Sequence, residues 1–235
     1  MNQVEALPWP PPYIIKKHRR ARYVKLRISK PFTIVITVPY RFNLNEMASI
    51  LEEKKAWITK QWLYFKSRYT EVLPDKITIS MLDETWSVSY MACDAKLEIF
   101  QRPSHELVLV GSVKDQAMCK QMLIAWLKDR AKIYLTEKIK TLSIQHKLDF
   151  NSVTIRDQKS LWGSCTRDKA INLNYRLMFL PNKLAEHVII HELCHTKHLN
   201  HSDKFWKLVD QCDPDLILHK RELRQADKYI PGWIY

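Results

Sequence analysis

His191-Glu192-Leu193-Cys194-His195 combines two histidines and a glutamate at helical spacing. The preceding residues 184–190 carry apolar side chains at the same spacing and contain no Gly or Pro, so a helix is predicted through the whole segment. On that helix His191 and His195 lie one turn apart, and both imidazoles can reach one zinc ion. Glu192 projects about 100° away from His191, where a general base for a metal-activated water is expected.

A catalytic zinc ion usually takes three protein ligands and keeps a fourth position for water, so one more ligand is needed. Five of the nine histidines fall between residues 187 and 201, which argues against a chance pair. The candidates for the third ligand are His198, His201, Asp203, Asp210 and Glu222. His201 is favoured because a ligand ten residues after His191 suits a chain that turns back beneath the metal, with Asn200 in a left-handed turn. Glu222 is the second choice, and one zinc ion per chain is predicted.

Three other side chains near the motif have simpler interpretations. His187 lies four residues before His191, on the same face of the predicted helix. Its position is equally compatible with contact to a substrate or a metal ligand and with exposure to solvent. Cys194 is expected to be a small core residue. Cys165 is expected to be a packed thiol, because no second His and Asp pair accompanies it as a nucleophile would require. His198 is expected at the surface.

The composition excludes several classes of protein. The three glycines cannot form a Gly-rich phosphate loop, so the nucleotide-binding motifs are excluded. No apolar run approaches the roughly 20 residues that span a bilayer. The N-terminal segment lacks a signal-peptide pattern and contains four prolines between residues 8 and 12. The five cysteines include no C-x-x-C pair, so a reducing compartment and a cytoplasmic location are expected.

The net charge of +13 indicates an acidic partner such as DNA or RNA. Residues 16–30 contain eight Lys or Arg and no acid, and residues 24–29 alternate apolar and polar side chains as a half-buried strand does. The candidate nucleic-acid-binding residues are Lys16, Lys17, Arg19, Arg20, Lys25 and Arg27. A solvated strand face, serving only solubility, is the simpler alternative.

The order of strands and helices predicts an α+β fold. Strands are predicted at residues 24–29, 32–38, 77–81, 85–91, 97–100, 107–110, 153–157 and 170–174. Long helices are predicted at residues 44–69 and 114–147, before the metal helix. The chain is accordingly divided into a basic, β-rich N-terminal module with one long helix, residues 1–112, and a second domain with the metal motif, residues 113–235.

Four motifs in the second half of the chain form a combined pattern. They are Lys159-Ser160-Leu161-Trp162-Gly163-Ser164-Cys165, Ile171-Asn172-Leu173-Asn174-Tyr175-Arg176-Leu177, the His-Glu motif, and Asn200-His201-Ser202 with Phe205-Trp206. This pattern resembles the YgjP-like metallopeptidase family, which is related to the SprT and WLM zinc proteases. The resemblance implies a zincin-like metallopeptidase domain in which His191, His195 and His201 bind zinc and Glu192 is the catalytic base. Since the related enzymes act on proteins at DNA, it also implies a protein or peptide substrate near nucleic acid.

Asn172 and Asn174 lie on one face of the predicted strand 170–174. Strands of zincins run beside the cleft, so these amides are predicted to hydrogen-bond a substrate backbone laid along the edge. Trp162-Gly163-Ser164 is predicted to form a tight turn against the metal helix.

Two other functions are compatible with the sequence. A nucleic-acid-binding protein with a structural zinc site would need four protein ligands, whereas three are well spaced here. A chaperone-like protein would hold a peptide in the same cleft without activating water.

Overall fold

The computed structural model of the chain describes residues 9–29, 33–68, 72–158 and 161–235. Those residues form three β-sheets and six α-helices, which confirms the mixed α+β class. Contacts within the chain define two compact units that divide between residues 71 and 72.

The N-terminal unit contains a three-stranded sheet. Its strands are β1 (Tyr13–His18), β2 (Lys25–Ser29) and β3 (Thr33–Pro39), in the order β1-β3-β2. The predicted strands 24–29 and 32–38 correspond to β2 and β3, which pair in antiparallel orientation. Strand β1, for which the sequence analysis predicted no element, pairs in parallel with β3.

Two helices cover the apolar face of this sheet. A 3-10 turn at Leu44–Glu46 leads into α1 (Met47–Glu53) and α2 (Lys55–Arg68). The single predicted helix over residues 44–69 is therefore wrong, because the backbone of Lys54 leaves the helical region at φ −92° and ψ 4°. The core of the unit consists of Ile34, Ile36, Val38, Met47, Leu51 and Ile58.

The second unit begins with a four-stranded sheet. Its strands are β4 (Lys76–Ile79), β5 (Glu84–Ala92), β6 (Glu98–Arg102) and β7 (Glu106–Gly111), in the order β4-β5-β7-β6. These strands match the four predicted for residues 77–110. Leu107, Val108 and Leu109 are buried because β7 is an inner strand of the sheet.

Helix α3 (Gln116–His146) packs against this sheet. Arg130 of α3 donates to Glu84 of β5 at 2.5 Å, and Trp126 Nε1 donates to Gln101 of β6 at 3.0 Å. These contacts join residues 72–112 to the second unit. The division therefore lies about 40 residues before the predicted one at 112/113, because the sheet buries its apolar face against α3.

A small third sheet stands beside the metal helix. It contains β8 (Ser152–Arg156), β9 (Gly163–Cys165) and β10 (Ala170–Asn174), in the order β8-β10-β9. Strand β10 is the middle strand, parallel to β8 and antiparallel to β9. The expected tight turn at Gly163 is wrong, since this residue begins strand β9.

Three helices complete the second unit: α4 (Asn182–Cys194), α5 (Asp203–Cys212) and α6 (Leu216–Leu223). Short 3-10 segments lie at Tyr175–Phe179, Ala226–Tyr229 and Gly232–Ile234. Helix α4 contacts α3, α5, α6, β9 and β10, which explains why apolar residues occur around most of its circumference. None of the helices in the described segments is both long and apolar enough to cross a membrane.

Candidate metal centre

His191, His195 and His201 converge at the C-terminal end of α4. One ring nitrogen from each lies within 4.8 Å of the others, and Nε2 of His191 is 3.1 Å from Nε2 of His201. Two ligands on one tetrahedral zinc ion are about 3.3 Å apart at ordinary Zn–N distances, so this spacing fits zinc. Of the five candidates for the third ligand, His201 is the one that the structure brings to the pair.

The turn after α4 fixes the orientation of His195. The amide of His198 bonds to Cys194 O at 3.1 Å, and His195 Nδ1 lies 2.9 Å from the carbonyl oxygen of His198. A carbonyl can only accept, so Nδ1 carries the proton and Nε2 presents its lone pair to a metal. The expected left-handed turn at Asn200 is wrong, because Asn200 does not adopt a positive φ. The His198 side chain is half-buried and not fully exposed as expected.

Two aromatic side chains of α5 pack against the imidazoles. The ring of Phe205 stacks on His195, with centroids 4.4 Å apart and an interplanar angle of 23°. The ring of Trp206 stacks on His201 at 5.4 Å and 25°. These contacts restrict both imidazoles to orientations in which they can share one ion.

Glu192 lies beside the histidines in a desolvated position. Its side chain belongs to a residue that is only 6% exposed, and burial raises its pKa to about 8. Gly163 of β9 packs directly on it, since a Cβ atom at Gly163 would lie 2.7–2.9 Å from the Glu192 side chain. Position 163 therefore requires glycine so that the carboxyl group can keep its place. Sequence reasoning missed this role, although a glycine within a strand often marks such a close approach.

The histidines and Glu192 line a cavity of about 370 Å³. Its other walls include the apolar side chains of Leu161, Trp162, Val188 and Leu223, together with Gly163 and Ser164 of β9. A mostly apolar cavity with a few convergent polar groups is the usual form of an active site.

Comparison with known proteins agrees with this arrangement. A protein-family model described as YgjP-like, metallopeptidase domain, matches residues 22–226. The chain belongs to the YgjP-like metallopeptidase family. The resemblance seen in the sequence motifs is thereby confirmed.

Other comparisons add little to the family assignment. No curated protein matches this YgjP-like chain significantly. The crystal structure of the metallopeptidase zymogen of Pyrococcus abyssi abylysin is similar to part of it, with 23% identity and a TM-score of 0.35. The similarity covers 40% of this chain and 92% of that chain. A likeness of this size indicates neither a shared activity nor a shared arrangement of the whole chain.

The two asparagines of β10 have structural partners in the YgjP-like protein. Asn174 is buried, and its amide donates to the carbonyl oxygens of Gln158 and Leu161 at 2.7 and 2.9 Å while it accepts from Arg176 N. Asn172 bonds to Ser164 Oγ and to Arg156 Nε, both at 3.2 Å. Because β10 lies between β8 and β9, both of its backbone edges are already paired, and the substrate-binding role of Asn172 and Asn174 stays a prediction.

His187 belongs to a buried network and not to a solvated surface. Its Nδ1 lies 2.5 Å from Asp213 Oδ2, and His219 Nδ1 lies 2.9 Å from the same oxygen. Burial raises the pKa of Asp213, but the hydrogen bonds from His219 and His187 outweigh it and hold that pKa below its usual range. A 2.5 Å separation is that of a hydrogen bond and is too short for two ligands of one zinc ion. The network ties α4, the end of α5 and α6 together around the cavity.

Both cysteines near the motif are packed as expected. Cys194 is fully buried. Burial and the neighbouring Glu192 raise the pKa of Cys165 to about 11, so its thiol is a poor nucleophile at neutral pH.

The basic residues singled out in the sequence lie in the N-terminal unit. The cationic side chains of β1, β2 and the turn after β1 are exposed: Lys16, Lys17, Arg19, Arg20, Lys25 and Arg27. Lys16 and Lys25 both lie opposite Thr37 of β3, and Arg27 lies two residues further along β2. Alternation along strands places these three on the outer face of the sheet.

Proposed function

We propose that this YgjP-like protein is a zinc peptidase in which His191, His195 and His201 bind one zinc ion and Glu192 is the general base. The observation that carries the proposal is the convergence of three imidazoles next to a buried carboxyl group. Three protein ligands leave the fourth position free for water or substrate, as in catalytic zinc sites. A structural site would be closed by a fourth protein ligand, and the described residues bring none to the three histidines.

The chemistry divides between the metal and the carboxyl group. Bound zinc would polarise the scissile carbonyl and lower the pKa of the attacking water towards about 7. Glu192 accepts the proton of that water and passes it to the leaving amine. The raised pKa of Glu192 is that of the metal-free site; a zinc ion bound beside it would favour the ionised carboxylate and lower that pKa, so that the group can accept a proton.

The edge of β9 suits an extended substrate. One backbone edge of β9 pairs with β10. Within the described residues, no strand pairs with the other edge of β9. Gly163 and Ser164 of this strand line the cavity beside Glu192. An unpaired strand edge offers backbone hydrogen bonds to a peptide of any sequence, so the peptide adds to the small sheet with its scissile bond at the metal.

Cleavage of unfolded proteins by the zinc-loaded chain tests this proposal. We expect fragments with new amino and carboxyl ends, detectable by mass spectrometry. A chelator should stop their formation, and zinc should restore it, because the attacking water is activated only by the bound metal. If a fully zinc-loaded chain leaves all unfolded proteins intact, with and without single-stranded DNA, a binding-only protein becomes the better description.

The N-terminal unit supports a second function, which is binding of DNA or RNA. Residues 1–71 contain 14 Lys or Arg and five Asp or Glu, so they carry a surplus of nine of the 13 net positive charges. Lys16, Lys25 and Arg27 share the outer sheet face described above. The exposed rings of Tyr23 and Tyr40, which are 74% and 60% accessible, could stack on unpaired bases. We therefore propose that this surface brings the peptidase to proteins on nucleic acid.

Salt dependence tests the nucleic-acid proposal. Binding to DNA or RNA should weaken steeply with salt, and on duplex DNA each neutralised phosphate should add about 0.9 to the steepness of the log–log slope. Changing Lys16, Lys17, Arg19 and Arg20 together to Gln should flatten the slope. The matched control changes Lys54 and Lys55 to Gln, because these cations already pair with Glu53 and Glu52 at 2.7 and 2.8 Å. An unchanged slope in the fourfold variant, or no binding of the parent at low salt, would favour a merely solvated surface.

A further inference from the structure

Lys220 lies on the face of α6 that is turned towards the candidate metal centre. The preceding residue, His219, bonds to Asp213, and Leu223 lines the cavity. Lys220 and Leu223 are three residues apart and therefore share one face of the helix. Lys220 itself is half-buried, and α6 packs against α4. Its side chain is thus held at the margin of the site.

The ammonium group of Lys220 is positioned by Trp206. Nζ lies 3.7 Å from the centroid of the Trp206 ring, which is a close cation–π contact. The same ring stacks on His201 and has its centroid 5.7 Å from that of His191. One aromatic ring therefore separates a fixed positive charge from two of the proposed zinc ligands.

Within the described residues, no carboxylate forms an ion pair with Lys220. Asp213 already accepts hydrogen bonds from His187, His219 and the amide of Asp215. Glu222 accepts from the hydroxyl group of Tyr229 and lies 3.7 Å from Lys228. Burial is the main cause that lowers the pKa of His187, and the positive charge of Lys220 lowers it further. The charge of Lys220 thus acts on the site without a neutralising partner.

We propose that Lys220 determines substrate specificity by binding a carboxylate of the peptide. The carboxylate is an acidic side chain near the scissile bond or the C-terminal carboxylate, and both offer the same charge-assisted hydrogen bonds. The inference rests on the proposed peptidase function for its substrate class. A bound carboxylate would neutralise a cation that otherwise lies close to the proposed zinc ion, with the Trp206 ring in contact with both Lys220 and His201.

Peptide binding to the zinc-loaded Glu192→Gln protein, measured by calorimetry, tests the assignment without relying on cleavage. One arm moves a single Glu through a short neutral peptide and compares each peptide with its Gln counterpart. The other arm compares free and amidated C-termini. One of these carboxylates should tighten binding at least about tenfold, since hydrogen bonds between charged groups contribute about 1.5–3 kcal/mol. The arm that shows the effect identifies the source of the carboxylate.

Variants at position 220 separate charge from packing. When Lys220→Met is introduced into the Glu192→Gln protein, the carboxylate preference should be abolished. Zinc content and Tm should stay unchanged, because the methionine side chain can still pack on Trp206. Lys220→Arg should retain the preference, and Lys220→Glu should shift it to peptides that carry Lys. Arg221→Met is the matched control, since Arg221 is the next residue and is exposed; it should leave the preference intact.

Three results would overturn the assignment. The first is that no peptide binds, and the second is that Glu and Gln peptides bind equally while free and amidated C-termini also bind equally. The third is a carboxylate preference that is undiminished in Lys220→Met. The wild-type protein could also cleave no peptide while its carboxylate preference still depends on Lys220. That result would contradict the peptidase function but would support the carboxylate-binding site at Lys220.

Discussion

Replacing Glu192 with Gln is expected to reduce peptide cleavage to near background while the zinc content stays at one ion per chain. Glutamine keeps the size and packing of the side chain against Gly163, but it cannot accept a proton from water. Loss of general-base catalysis typically costs about 10²–10⁴-fold, and more when the same group also acts as the acid. Cleavage rates of one peptide, measured on proteins of equal zinc content, would give the effect directly.

Glu186→Gln is the matched control for this experiment. Glu186 is also on α4, but its carboxylate pairs with Lys138 at 2.9 Å and accepts from Asn182. The control loses a partly exposed ion pair, which contributes little to stability, and should retain cleavage. The Tm of metal-free Glu192→Gln should not fall, because burial disfavours the ionised carboxylate that the substitution removes. Undiminished cleavage by Glu192→Gln would remove Glu192 from the mechanism.

The parts of the site that lie on one helix could be predicted from the sequence. Helix α4 follows from apolar spacing, and the positions of His191, Glu192 and His195 on it follow from 3.6 residues per turn. His201 was selected by spacing alone, and the structure places its Nε2 next to that of His191. The predicted turn geometry was wrong, because the reversal uses the amides of Thr196, Lys197 and His198 and not a left-handed Asn200.

Features that depend on contacts between distant residues were missed. Asp213 lies 26 residues from His187, and nothing in either local sequence indicates that they bond. Strand β9 has only three residues, too few for an alternating pattern to identify it. Strand β1 is recognisable only through its parallel partner β3. The division of the chain likewise depends on which surface covers the second sheet, which a sequence pattern does not specify.

Asn174 illustrates a different limit. Its substrate-binding role, which stays a prediction, was inferred from a correct strand without knowledge of the neighbours of that strand. Because β10 is flanked by β8 and β9, the asparagine side chain is enclosed and binds the carbonyl oxygens of residues 158 and 161. Alternation along a strand indicates which face a residue occupies, but it does not indicate what covers that face.

The identity of the third ligand can be tested by zinc content. His201→Ala is expected to lower the affinity for zinc by more than about 100-fold, because loss of even an outer-shell partner of a metal ligand typically costs 10–100-fold. Elemental analysis after dialysis should then find far less than one zinc ion per chain. His201 is exposed, so the substitution should leave the fold of the metal-free protein unchanged.

Two control variants make the zinc measurement specific to His201. His198→Ala retains the backbone carbonyl that fixes His195 Nδ1 and removes only an imidazole that is absent from the three-histidine cluster, so zinc should remain bound. Glu222→Gln removes the alternative carboxylate ligand, which instead accepts from the hydroxyl group of Tyr229, and zinc should again remain. Full zinc content in His201→Ala together with loss in Glu222→Gln would transfer the third position to the carboxylate. Full zinc content in both variants would show that neither His201 nor Glu222 is the third ligand, and the proposed three-histidine site would then be wrong.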